Sequence, residues 1–328
     1  MSVERPVVIT TGANGPVVAI LHEPDRPQEP RVGVSLLNPG LKYRVAPNRL
    51  NVRLARRLTE LGFYVLRMDP PGIGDSGGDL PELPLVELWA DVERGALVDG
   101  VVAAHTAFRK ACGLSEIIGA GNCGGAITAL LACAADPYCR RLVLVDLPVA
   151  TKGEETPDLG RWVLASYARR MSDWRAWLNL VTLRTDFGVI GRALRARFRP
   201  VEAPPAEPRP ERVEAEAGSG VADEHLNEAF VRAFETFDAR GGSVLFVNSE
   251  LHVSLVHFES LFASRFLADP ERARRHARIT VRGANHIFGM PEWREELLGI
   301  VSGWLGAGGP REATGRASAP SEVRGGLT

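Results

Sequence analysis

Cysteine is scarce in this chain. The 328 residues include four: Cys112, Cys123, Cys133 and Cys139. They form no C-x-x-C pair and no spacing typical of zinc ligands, so the sequence predicts neither a disulfide framework nor a metal site. Free thiols are typical of a reducing compartment, and we expect a cytoplasmic protein that uses no cofactor.

The chain also lacks an excess of charge of one sign and a long apolar run. Lys and Arg total 39 against 40 for Asp and Glu, a net charge of −1, which gives no general attraction to nucleic acid or to a membrane surface. No apolar run approaches the roughly 18 residues of a membrane span. Residues 1–6 contain no basic segment leading into an apolar core, so no secretory signal is expected.

Short β-branched runs alternate with longer amphipathic stretches along most of the sequence. This alternation predicts an α/β fold with a mostly parallel sheet covered by helices. Strands are predicted at 17–22, 33–37, 63–68, 116–120, 142–145, 244–247 and 278–281. Helices are predicted at 48–60, 86–111, 125–134, 255–267 and 292–305, where apolar residues recur at three- and four-residue spacing.

The alternation stops between the two halves of this predicted core, which are residues 1–147 and 242–306. Residues 148–241 are interpreted as a helical cap, with a Pro/Glu/Ala-rich loop at 200–220 and a helix at 223–239. Residues 161–199 contain nine arginines with interleaved aromatic residues, typical of an amphipathic cap or of a basic surface that binds an acyl carrier protein or coenzyme A. Residues 307–328 are predicted to form a disordered tail.

The strongest local motif is Gly121-Asn122-Cys123-Gly124-Gly125, between a predicted strand and a helix of small residues. A nucleophile elbow has this order, because the turn is so tight that small residues must flank the nucleophile. The helix N-terminus would favour a thiolate on Cys123, and the Gly124 amide would be one oxyanion donor.

The same residues allow a second interpretation. Gly119, Gly121 and Gly124 match the G-x-G-x-x-G dinucleotide fingerprint, and Asp146 ends the next predicted strand at a spacing suited to binding a ribose. On this interpretation the chain would be a nicotinamide- or flavin-dependent oxidoreductase.

Three further segments distinguish the two interpretations. A strand leads into the turn Asn38-Pro39-Gly40, another leads into the Gly-rich turn 69–77, and His286 follows the last predicted strand. A nucleophile that precedes its histidine is the order found in α/β hydrolases. A dinucleotide fold has no need of these three segments.

Together the four segments resemble the α/β-hydrolase superfamily, in which R-x-D-x-x-G-x-G-x-S follows a central strand and G-x-x-H-x-F contains the histidine. Residues 67–76 and 283–288 match these two patterns. Residues 47–69, with a Cys elbow, are further similar to exosortase-associated bacterial hydrolases, and dienelactone hydrolases are a more distant Cys-nucleophile precedent. The resemblance implies His286 as general base and a second oxyanion amide from Gly40 or Leu41.

The resemblance also implies an acid after the penultimate strand, at the position that His252 occupies. Glu250, two residues earlier, is the first choice for the acid that orients His286. Asp146 is the alternative, and a Cys-His pair without an acid remains open because a thiol ionises easily. His252 would then contact substrate or lie at the surface.

The sequence therefore predicts an enzyme that forms an acyl-enzyme on Cys123 and acts on a small acyl substrate as an ester or thioester hydrolase or as an acyltransferase. Three alternatives stay open: a catalytically silent binding protein, a non-covalent isomerase or lyase, and the oxidoreductase. Ser76 lies in a G-D-S-G-G string like that of trypsin-like proteases, but an α/β chain with free thiols favours a turn residue there.

Overall fold

A computed structural model describes residues 2–11, 15–150 and 226–309, which contain an eight-stranded sheet. The strands are β1 (Val3–Thr10), β2 (Pro16–Glu23), β3 (Val32–Leu37), β4 (Tyr64–Met68), β5 (Glu116–Asn122), β6 (Cys139–Val145), β7 (Ser243–Ser249) and β8 (His276–Val281). Their order in the sheet is β1-β2-β4-β3-β5-β6-β7-β8. β2 is antiparallel to both of its neighbours, and the remaining pairs are parallel.

This topology determines where the predicted site residues meet. The carboxyl ends of parallel strands lie at one edge of a sheet, which is where open α/β sheets bind ligands. In the pairing of β5 with β6, Asn122 lies opposite Val145, so Cys123 and Asp146 leave adjacent strands at the same level. The loops that follow β7 and β8 begin at the same edge.

Helices cover both faces of the sheet. They are α1 (Leu50–Glu60), α2 (Leu85–Arg94), α3 (Val98–Cys112), α4 (Gly124–Ala135), α5 (Glu228–Ala239), α6 (Val253–His257), α7 (Ser264–Phe266), α8 (Pro270–Arg275) and α9 (Pro291–Gly306). Two apolar cores result from the alternation of side chains along each strand. In β6, Leu142 and Leu144 face the core of α3, α4 and α5, and Val143 and Val145 face the core of α1 and α9.

Three elements differ from the sequence prediction. The edge strand β1 was not predicted, since its residues are mostly exposed and it includes Pro6. The helix predicted at 86–111 is two helices, because Gly95 takes a φ of 105° at the end of α2. The helix predicted at 255–267 includes a π-helical segment, Phe258–Ala263, between α6 and α7.

The predicted cap is described only at its ends, and its arginine-rich stretch, its Pro/Glu/Ala-rich loop and the tail from residue 310 lie outside the described residues. Helix α5 packs against α4, so the core extends further towards the N-terminus than the predicted boundary at residue 242. Its Phe230, Phe234 and Phe237 are fully buried, and Asn227 caps it by accepting the Phe230 amide at 3.2 Å. Among the described residues, no helix combines the length and apolar character that crossing a membrane requires.

Candidate active site

Cys123 lies at a strained turn between β5 and α4. Its φ of 54° and ψ of −124° are rare for a residue with a side chain, and strain of this kind is concentrated at functional sites. The turn is held by hydrogen bonds from the Cys123 amide to Val145 O at 2.9 Å and from the Ala126 amide to Cys123 O at 2.8 Å. Cys123 is half-buried, whereas the other three cysteines are buried, so it is the most exposed of the four residues.

His286 follows β8 and lies between Cys123 and Asp146. Its Nδ1 is 3.1 Å from Asp146 Oδ2, and its ring lies near the Cys123 thiol. Burial by itself lowers the pKa of His286, but the hydrogen bonds and charges of Asp146 and Cys123 outweigh burial and raise that pKa to about 9. The arrangement therefore favours an imidazolium beside the sulfur.

Asp146 is held rigidly where β6 ends. Its carboxylate, which is fully buried, accepts the Ser249 amide and the Ser249 hydroxyl, each at 2.7 Å. Its own amide donates to Val247 O at 2.8 Å, and its φ is 44°. These three hydrogen bonds to β7 leave Oδ2 directed at His286. No motif in the sequence indicated the contribution of Ser249.

Glu250, the acid that the sequence favoured, makes a different contact. Its carboxylate accepts the Gly283 amide at 2.8 Å, and its amide donates to Val281 O at 3.2 Å. Glu250 thus joins the loop after β7 to the loop that contains His286. The carboxylate hydrogen-bonded to His286 belongs instead to Asp146, the alternative from the sequence.

His252, at the position where the resemblance implied an acid, stacks on His286. The ring centroids are 4.0 Å apart and the planes are 18° from parallel. His252 Nδ1 accepts the Ser254 amide at 3.3 Å and lies 2.6 Å from Ser254 Oγ, which holds the ring in place. Ligand atoms of Asp146, His252 and His286 lie within 4.8 Å of one another, so this group could also hold a metal ion.

Gly124 and Gly40, two of the three predicted oxyanion donors, lie against each other beside Cys123. Gly124 is the first residue of α4, so its amide has no acceptor within the helix. A Cβ on Gly124 would lie 2.7 Å from the Gly40 Cα and 2.8 Å from the Trp89 ring, so the two glycine backbones approach each other closely. The Leu41 side chain packs against the small apolar cluster of Ile73, Val92 and Leu97. Nothing in the sequence indicated that Trp89 would lie against Gly40 and Gly124.

The Gly-rich turn after β4 is built around a buried carboxylate. Asp69 is fully buried and accepts the Arg44 amide at 2.6 Å, a hydrogen bond from the Arg44 guanidinium, and the Asp75 amide at 3.3 Å. Ser76 Oγ donates to Asp69 O at 2.6 Å and accepts the Val18 amide at 2.8 Å. Ser76 is therefore a turn residue whose hydroxyl is occupied by backbone groups.

The contacts of the same residues argue against a dinucleotide site. Asp146 is buried and hydrogen-bonded to Ser249 and His286, so its carboxylate does not face a ribose. A Cβ on Gly119 would lie 2.5 Å from Cys133 Sγ, so this glycine serves the close packing of β5 against α4. The glycine pattern is explained by the elbow and by helix packing.

The comparisons with known proteins identify structures of similar fold. No protein-family model and no curated protein matches the sequence. A dienelactone hydrolase from Anabaena variabilis matches with a TM-score of 0.52 and 13% identity over 94% of this chain and 99% of that one. Est1E from Butyrivibrio proteoclasticus, with ferulic acid bound, matches with a TM-score of 0.51 and 16% identity over 91% of this chain and 97% of that one. An α/β serine hydrolase homologue from Coxiella burnetii matches with a TM-score of 0.50 and 14% identity over 91% of this chain and 95% of that one.

Proposed function

We propose that this chain, which has the α/β-hydrolase fold, is an enzyme that cleaves or transfers acyl groups through a thioester on Cys123. His286 is its acid and base, and Asp146 is the positioning residue that orients His286. The observation that supports this best is the hydrogen-bonded series from His286 through Asp146 to Ser249, with the Cys123 thiol near the His286 ring. A buried, fully hydrogen-bonded carboxylate next to an imidazole is the arrangement of a catalytic triad.

The first half of the reaction uses the thiolate. With Nδ1 bound to Asp146, the Nε2 of His286 is the nitrogen available to Cys123. The Cys123 sulfur attacks the carbonyl carbon, and the amides of Gly124 and of Gly40 or Leu41 bind the resulting oxyanion. When the oxyanion collapses, the bond to the leaving group breaks, and Nε2 gives its proton to that group.

The second half resolves the acyl-enzyme. His286, now neutral, takes a proton from water or from an acceptor amine or thiol, which attacks the thioester carbonyl. Cys123 leaves as the thiolate, which regenerates the starting pair. Water gives hydrolysis and another acceptor gives transfer, and we propose an ester or thioester as the acyl donor because thiolates react readily with both. An acyl carrier protein or coenzyme A as the source of the acyl group belongs to the same proposal.

The test is intact-mass analysis and peptide mapping after incubation with short activated esters and acyl thioesters. We expect an acyl adduct on Cys123 that is absent in Cys123→Ala and forms on the order of 10²-fold more slowly in His286→Ala. Cys112→Ala serves as the matched control, because its thiol is buried and outside the site. Loss of the adduct in buffer alone would indicate hydrolysis, and formation of an acylated product after an amine is added would indicate transfer. Equal labelling of Cys123 and the buried cysteines would contradict the proposal.

A further inference from the structure

A second cluster of nucleophilic and titratable groups lies at the opposite edge of the sheet from Cys123. It contains His105 from α3, Asp136 directly after α4 and Cys139 at the start of β6. Their exposed fractions are 0%, 6% and 3%. Cys139 begins the strand that ends next to Asp146, so the cluster is about 20 Å from the active site at 3.3 Å per residue.

The ligand-type atoms of these residues converge on one point. His105 Nδ1 is 3.4 Å from Asp136 Oδ2 and 3.9 Å from Cys139 Sγ, and one such atom from each residue lies within 4.8 Å of the others. Bond lengths to tetrahedral zinc place neighbouring ligand atoms roughly 3.3–3.8 Å apart. The observed separations are therefore close to those around a bound ion.

Cys133 lies beside this three-residue cluster and could supply a fourth donor. Its thiol lies beside that of Cys139, and both side chains are buried. The missing side chain of Gly119 gives the Cys133 sulfur its space, since a Cβ there would lie 2.5 Å from it. With a shift of its sulfur towards the other three donors, Cys133 would complete a tetrahedral set of two thiols, a carboxylate and an imidazole.

The two cysteines and Asp136 are regularly spaced in the sequence. Cys133, Asp136 and Cys139 are separated by two residues each, a C-x-x-D-x-x-C pattern. The two-residue gaps place all three donors around the turn that joins α4 to β6. Considering the cysteines alone hides this pattern, which is why the sequence predicted no metal site.

We propose that His105, Cys133, Asp136 and Cys139 form a structural binding site for a zinc ion. Binding displaces the protons of the two thiols and any proton on His105 Nδ1, and the ion then links α3, α4 and β6. Four protein ligands leave no position for substrate, and complete burial excludes solvent, so the site would stabilise the fold without taking part in the reaction. Soft thiolate ligands favour zinc over magnesium or calcium.

The test is the metal content of the full chain, purified without chelators from medium supplemented with Zn²⁺ or Co²⁺. Mass spectrometry measures metal per chain, and absorption spectroscopy detects charge transfer from thiolate to Co²⁺. Cys139→Ser and Cys133→Ser remove ligands, and Cys112→Ser is the control with another buried free thiol. Cys123→Ala and His286→Ala report whether the metal is bound at the active site instead.

We expect about one metal ion per chain in the wild type and in the Cys112, Cys123 and His286 variants. The thiolate-to-cobalt absorption is expected to be lost in Cys139→Ser and weakened in Cys133→Ser. A wild-type protein without metal from either medium would overturn the proposal, whether or not the ligand variants fold. Loss of metal in His286→Ala, or full retention in Cys139→Ser, would overturn it as well.

Discussion

His286 Nδ1 and Asp146 Oδ2 lie 3.1 Å apart, although 140 residues separate them in the sequence. The contact forms because β6 and β8 flank β7, so the loops after β6 and β8 meet across the end of that strand. Asp146 is in turn fixed by Ser249 at the end of β7. Asp146, Ser249 and His286, which lie at or just after the ends of the adjacent strands β6, β7 and β8, therefore form one hydrogen-bonded group.

This relationship predicts different effects for two carboxylate substitutions. Asp146→Asn should lower kcat/KM on the order of 10²-fold, because an amide does not compensate the imidazolium. Glu250→Gln keeps an acceptor for the Gly283 amide and should change kcat/KM little. Steady-state kinetics on an activated ester measures both. A larger loss in Glu250→Gln than in Asp146→Asn would restore Glu250 as the acid.

The titration of His286 provides a second prediction. Its pKa, raised to about 9, keeps the imidazole protonated at neutral pH. Because the folded value exceeds the unfolded value of about 6.5, the stabilisation from this group is fully present below pH 6.5. It is lost as the pH rises through about 9. NMR titration should detect this pKa and a lower one in Asp146→Asn; an unchanged pKa in that variant would contradict the assigned pair.

The close approach of Gly124 to Gly40 predicts that Gly124→Ala impairs the reaction. A Cβ at position 124 would lie 2.7 Å from the Gly40 Cα, so the two backbones must separate. Loss of one oxyanion donor typically costs about 10²–10³-fold in kcat, and we expect a loss of this order. Gly299→Ala in α9 is the control, since no atom lies within 4 Å of its new Cβ. The control should retain activity and be more stable by about 0.5–1 kcal/mol.

The stacked pair of His252 and His286 predicts that ring shape matters at position 252. Removing the ring in His252→Ala frees His286 to move, and an aromatic pair is worth roughly 0.5–1.5 kcal/mol. The acylation rate should therefore fall about 2- to 10-fold. His252→Phe preserves the stack and should stay near the wild-type rate. Equal loss of activity in both variants would contradict the stacking role and indicate that a ring nitrogen of His252 is required.

The Arg44–Asp69 pair predicts a strong effect on stability. Asp69 is fully buried; burial raises the pKa of its carboxyl, and Arg44 opposes that rise. Arg44→Met leaves a buried carboxylate without its cation, which typically costs about 3–5 kcal/mol. Urea unfolding at neutral pH measures the loss. Arg57→Met is the control, because its pair with Glu60 is solvent-exposed and should contribute at most about 1 kcal/mol. Equal losses in the two variants would contradict the prediction.

The α/β-hydrolase fold predicted from the sequence is confirmed. It could be predicted because the sequence signals for its strands are local. A continuous apolar run such as that of β7 reports burial on both faces, and Ser243–Ser249 is buried at every position. The edge strand β1 has only a three-residue apolar run, Val7-Val8-Ile9, directly after Pro6, and the break at Gly95 lies within the segment predicted as one helix. Both differences arise where tertiary context outweighs local pattern.

The carboxylate that contacts His286 was harder to predict from the sequence than the candidate residues Cys123 and His286. Cys123 and His286 each lie in a short motif with flanking glycines, so local composition marks them. The partner of His286 depends on which neighbouring loop reaches it, which is a property of the strand order. Glu250 and Asp146 both follow strands at the correct edge, and only the contacts with Ser249 and Gly283 distinguish them.

The order of these residues along the chain has a practical use. Cys123, Asp146 and the glycines proposed as oxyanion donors, Gly40 and Gly124, precede residues 151–225, whereas Ser249 and His286 follow them. A break within 151–225 would divide the thiol and the carboxylate from the imidazole. Strand β6 would belong to the first piece and β7 to the second, so the two pieces would reassociate through the parallel pairing of these strands, in which Val145 is the partner of Val247. If the proposed function holds, turnover would report their reassociation, and the chain would serve as a split-enzyme sensor of proximity between two proteins fused to its halves.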